Sequence, residues 1–150
     1  MEKLFALILS LALCLGLTAC SGDDSSTPDD VAGGDWRTTG AVRDQGSITR
    51  GGEDTDVLVC VHDADAMLYY DQEEQILYGS VDYPEALPGD PWEAFQSIDF
   101  ADRNGDGDGD VSMLFTVDGE TALMVWFWDG EADAFVFQPE ESQLPGSVQG

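Results

Sequence analysis

The sequence predicts an all-β fold: a small antiparallel meander with a sandwich-like core, one short helix and a disordered N-terminal tether. Three observations carry this. Short runs in which apolar and polar residues alternate recur from residue 56 onward, separated by short turns rich in Asp, Glu and Gly. No proline falls inside a proposed strand. Asp118-Gly119 stands between two such runs and is a strong two-residue hairpin signal. At 150 residues and 43% apolar content the chain can build one real core, so one domain is expected.

Residues 1–19 read as a leader. Lys3 gives a charged start, weakened by Glu2, and the apolar stretch from Leu4 to Leu17 is too short for a stable bilayer span. The stretch ends in Leu17-Thr18-Ala19-Cys20, which resembles the lipobox of bacterial lipoproteins. That resemblance implies cleavage before Cys20 and acylation of its thiol, with the multiple chains that stable anchoring requires. An ordinary secretory signal followed by an incidental cysteine is the alternative. Cys14 would leave with the leader, and with Cys20 acylated no internal disulfide could form, leaving Cys60 as a buried small hydrophobe.

Residues 20–35 are expected to form the lipidated, acidic linker. Ser, Gly, Asp, Thr and Pro dominate it, and about 15 such residues have an rms reach of roughly 20 Å. Asp23, Asp24, Asp29 and Asp30 would be repelled by anionic lipid, extending it further.

The folded domain is expected over 36–139. In residues 56–62, Val57, Val59 and Val61 alternate with Leu58, Cys60 and His62, which predicts a central strand with bulk on both faces. Strands at 66–70 and 75–83 follow as a meander. Asp90-Pro91-Trp92-Glu93 is a helix start, with Asp as N-cap, Pro at the first position and Glu at the third. The helix must be short, because 97–100 already reads as strand. It would lay Trp92 and Phe95 over an open end of the sheet. Strands at 111–117, 121–128 and 134–138 complete the domain, and residues 140–150 are expected to be a loose tail.

Between the strands at 97–100 and 111–117 lies Asp102-Arg103-Asn104-Gly105-Asp106-Gly107-Asp108-Gly109-Asp110. Oxygen-bearing side chains occupy every second position, and the intervening glycines permit a tight coil. Its first half matches an EF-hand loop, but Met113 stands where a bidentate Glu should close such a site. The remaining pattern, D-x-N-x-D-G-x-x-D between strands, resembles the calcium loops of FG-GAP and VCBS-type repeats. The likeness extends from Ser97 to Phe137 and includes Trp128-Asp129-Gly130 before Phe135-Val136-Phe137. It implies one Ca²⁺ held by the side chains of Asp102, Asn104, Asp106 and Asp110 and the backbone oxygen of Asp108. The loop occurs once, so a full propeller is excluded. A solvated Asp/Gly turn is the plain alternative. Against it, clustered acids repel without a cation among them, and a merely acidic turn has no need of Asn104.

The formal net charge of −26, from 31 acids against five Lys and Arg, excludes nucleic-acid binding and disfavours electrostatic adhesion to anionic lipid. It also strains the compact state by self-repulsion, which a bound cation would relieve. His62, the lone histidine, has no nucleophile pattern or second histidine beside it. With so many acids, no single pair nominates a glycosidase centre. The Gly51-Gly52 pair lacks the flanks of a phosphate cradle. Trp126 and Trp128 share one strand face, which is either core or an exposed platform able to stack a sugar ring.

These readings converge on a monomeric, non-enzymatic binding or interaction module. The lipid on Cys20 would fix it to the outer face of the bacterial cell membrane, or to the outer membrane in a cell with two. One Ca²⁺ is expected to stabilise it, and an envelope protein or glycan is the expected partner. The alternative is a carbohydrate-binding protein or a carboxylate-dependent envelope hydrolase.

Overall fold

A computed structural model describes residues 34–84, 87 and 89–145. The leader, the Cys20 lipidation motif and all but the end of the linker lie outside these residues. The fold is all-β: eight strands form two four-stranded antiparallel sheets, each a simple meander. The first sheet contains β1 (Val42–Arg50), β2 (Glu53–Val61), β3 (Asp65–Tyr70) and β4 (Leu77–Asp82). A four-residue helix α1 (Pro91–Ala94) leads into the second, formed by β5 (Phe95–Asp99), β6 (Val111–Val117), β7 (Glu120–Asp129) and β8 (Ala134–Phe137). Among the described residues no helix is long and apolar enough to cross a membrane.

Turn chemistry sets the pairings. Asp118 and Gly119 both have positive φ, 51° and 82°, and join β6 to β7 with Val117 opposite Glu120. Gly51 and Gly52 do the same between β1 and β2, at φ 56° and 82°, with Arg50 opposite Glu53. Two positive-φ residues make the primed turn whose twist matches that of paired strands. The helix begins as its sequence predicts: the Asp90 side chain accepts the Trp92 N–H at 2.9 Å, with Pro91 in the first turn.

The core lies between the sheets. Val59 and Val61 of β2, Ala66 and Leu68 of β3 and Val81 of β4 face Met113, Phe115 and Val117 of β6 and Ala122, Met124 and Trp126 of β7. Tyr83 and Phe95 meet Phe115 edge-on at 5.6 and 6.0 Å. Trp126 ties the sheets by donating its indole N–H to the Asp82 carbonyl at 3.0 Å. As expected, β2 is buried on both faces from Val57 to Val61. On its outer side Leu58 lies opposite Tyr69, which Trp36 meets edge-on at 5.4 Å.

Two expectations need correction. The sequence pattern names no strand before residue 56: residues 42–50 hold only Val42 and Ile48 as aliphatic residues, yet Val42 and Asp44 to Arg50 pair with β2, the register shifting at Arg43. The tail beyond Pro139 is fixed at least as far as Gln143, which exchanges both backbone hydrogen bonds with Leu123 at 2.8 Å. Ser142 Oγ accepts the Val125 N–H at 3.0 Å, so this segment extends the β7 edge past β8.

Candidate cation-binding loop

The loop joins β5 to β6, and two left-handed glycines shape it, Gly105 at φ 81° and Gly107 at φ 95°. The backbone curls around Asp102. One carboxylate oxygen accepts the N–H groups of Gly105 at 2.7 Å and Asp106 at 3.2 Å, and the other that of Gly107 at 2.9 Å. The Asn104 side chain accepts the Asp106 N–H at 2.9 Å and donates to the Asp106 carboxylate at 2.8 Å. Asp106 in turn accepts the Asp108 N–H at 2.8 Å. That backbone bond, seconded by the Asn104 amide, holds the Asp106 carboxyl below the usual carboxylate range.

The other two nominated residues work differently. Asp110 is wholly buried: one oxygen accepts the N–H groups of Arg103 and Asn104 at 2.8 and 3.2 Å, the other that of Trp128 at 3.0 Å. Asp108 reaches across to the β1–β2 turn and accepts the Gly51 N–H at 2.8 Å. Asp102, Asn104 and Asp106 therefore share one exposed turn, while the Asp108 and Asp110 side chains pin that turn to the body of the fold. Among the described residues no three His, Cys, Asp or Glu side chains converge as a metal-holding group. The exposed set is two carboxylates and an amide, an all-oxygen chemistry suited to a hard cation.

Part of the charge balance comes from Arg50. Its Nη1 donates to the carbonyls of Gly109 at 2.6 Å and Thr49 at 3.2 Å. Its guanidinium lies 3.8 Å from the centre of the Trp128 ring and 4.9 Å from that of Phe135. Burial pulls its pKa below the ordinary arginine value, against the opposing pull of Tyr78, Asp108, Asp110 and Asp106. Gly109 is the pivot: its own N–H donates to Thr49 O at 2.8 Å. A Cβ there would meet Phe100 O at 2.8 Å and Thr49 N at 3.2 Å, so glycine is required for close backbone approach.

The paired tryptophan platform does not form. Trp126 is 1% exposed, a core residue packed on Tyr83 and Phe137, because its strand face is the one turned to the other sheet. Trp128, near the strand end, is only partly covered, by Arg50 and Phe135. His62 is exposed, with Nδ1 3.5 Å from Asp65. Cys60 is 2% exposed, and burial raises its thiol pKa.

Arg50 and Tyr78 were not singled out from sequence. The available signal for Arg50 was a rare cation in a strongly acidic chain, set directly before a Gly-Gly turn. No family model matches the chain, and neither a curated protein nor a solved structure does.

Proposed function

We propose that this chain is an envelope lipoprotein, held to the membrane by lipid on Cys20, whose all-β domain is a non-enzymatic binding module stabilised by a divalent cation. The observation that carries the cation reading is the shared exposed turn of Asp102, Asn104 and Asp106: the Asp102 and Asn104 side chains both accept the Asp106 backbone N–H, and the Asn104 amide donates to the Asp106 carboxylate. The Asp102 and Asp106 carboxylates, the Asn104 amide oxygen and the Asp108 backbone oxygen would hold the ion. Bound Ca²⁺ would add positive charge to that which Arg50 and the loop amides bring to the carboxylates. Asp110, with all three of its amide partners in place, supports the loop from within.

The lipoprotein reading is supported by the Leu17-Thr18-Ala19-Cys20 motif after a short apolar leader. Palmitate labelling and membrane fractionation of wild type and Cys20→Ala test it: the variant should lose the label and leave the membrane fraction. Calorimetric titration with Ca²⁺ tests the cation reading, and absence of heat at millimolar concentrations would overturn it.

A further inference from the structure

We infer that the outer face of the second sheet docks a basic peptide segment of a partner protein, anchored by apolar side chains. This names a partner for the proposed binding module, so it rests on that reading; it rests on neither the lipid nor the calcium.

Met124 and Trp126 of β7 enter the core, so the alternation of the strand turns Leu123, Val125 and Phe127 the other way. Register sets Leu114 opposite Leu123, and Val136 opposite Phe127. Leu114 and Val136 are 36% and 43% exposed, and Leu123 and Phe127 are partly so. These four residues cover three strands, about 10 Å across, and four residues of β7, about 13 Å along. Beside Phe127 and Val136 an open groove of about 440 Å³ continues the face, bordered by Asn104, Asp129, Glu131 and Gln138. That extent suits a peptide segment and exceeds a single small cation.

A built-in example shows what this face seats. Val125 stands between the two apolar pairs and is 1% exposed. Its cross-strand partner Ser112 accepts the Nε–H of Arg103 at 3.1 Å, and Nη2 of Arg103 lies 3.6 Å from Asp99. One cationic side chain thus already lies on the sheet, its stem toward apolar residues and its head toward a carboxylate. The groove repeats those terms with no cation at its border: Phe127 and Val136 are apolar, Asp129 and Glu131 are exposed acids.

Charge decides among the occupants. At −26, a second copy of the chain would meet its own sign, and so would anionic lipid. A Lys or Arg flanked by apolar residues gains from the carboxylates and from the Phe127 ring together.

The test is an NMR titration of the full chain with acetyl-Lys-Leu-Arg-Phe-Lys-amide, which should shift the Phe127, Gly130 and Val136 amides saturably. Val136→Thr keeps a β-branched strand residue and removes a methyl from the face. Glu131→Gln removes one rim charge. Each should weaken binding roughly two- to fivefold. The pair Glu73→Gln with Glu74→Gln, in the exposed β3–β4 turn, should leave affinity unchanged. Equal weakening by that control pair would mean diffuse charge attraction and overturn the inference. So would equal shifts with acetyl-Glu-Leu-Asp-Phe-Glu-amide, with spermidine, with phosphocholine micelles, or on concentrating the protein alone. A titration without shifts would remove this partner, while palmitate labelling and calcium calorimetry decide the rest of the proposed function separately.

Discussion

The buried carboxylate of Asp110 accepts the backbone N–H of Trp128 at 3.0 Å, across a separation of 18 residues. One side chain thus fastens the end of the β5–β6 loop to β7, and its second oxygen holds the loop's start through the amides of Arg103 and Asn104. Replacing Asp110 with Ala strands three backbone donors at once. At about 1 kcal/mol for each lost hydrogen bond, Asp110→Ala should lose about 3 kcal/mol. For a domain of this size that lowers the melting midpoint by roughly 10–20 °C. A thermal melt followed by circular dichroism measures it.

Two loop glycines should respond differently to alanine. At Gly105 a Cβ meets nothing within 4 Å, so only the strained φ of 81° opposes it, at about 1 kcal/mol. At Gly109 the added carbon collides with backbone atoms of Phe100 and Thr49. Gly109→Ala should therefore be the costlier change, at about 2–3 kcal/mol. It should also free the β1–β2 turn, seen as faster hydrogen exchange at Gly51 and Gly109. Equal midpoints for the two variants would refute the pivot role of Gly109.

Calcium tenfold above its dissociation constant should add about 1.4 kcal/mol to stability, with binding expected at about 10⁻⁴–10⁻³ M for an extracellular module. Asp106→Ala should abolish the difference between melts with Ca²⁺ and with chelator. It should leave the Asp110 contacts intact, because Asp106 bonds only within the exposed turn. A calcium-dependent shift that survives the substitution would remove Asp106 from the site.

At the start of the described chain, Arg37 bridges Asp35 at 2.6 Å and Asp71 at 2.9 Å, beside the indole N–H of Trp36, which donates to Gln72 O. The Arg37 side chain draws the Asp35 carboxyl below its ordinary value of 3.8. A lowered pKa contributes stability that is present above that ordinary value and is lost as pH falls through the depressed one. The clasp should hold at neutral pH and release only in strong acid, and high salt should loosen it because the pair is exposed. The Trp36 indole resonance, followed through an acid titration, should move in that range and remain fixed between pH 5 and pH 8.

Strand positions with strong alternation were legible in advance because β6 and β7 bury one face and their turn, Asp118-Gly119, requires positive φ. β1 was not legible: its residues are mostly polar, and its pairing follows from the Gly51-Gly52 turn and from β2, not from its own pattern. The Trp126 and Trp128 spacing placed both on one face, but only packing against the other sheet made one core and left the other partly covered.

The sequence by itself determined the all-β class, the short capped helix, the acidic turn and its five oxygen-bearing residues, because these follow from local periodicity and backbone chemistry. Tertiary structure alone decided which of those residues share the exposed turn. It sends Asp108 to Gly51 and Asp110 to Trp128, and it seats Arg50 between the loop and an aromatic wall. The physical reason is that these partners lie on strands distant in the chain, so only the closing of two sheets on one core brings their donors and acceptors within hydrogen-bond reach.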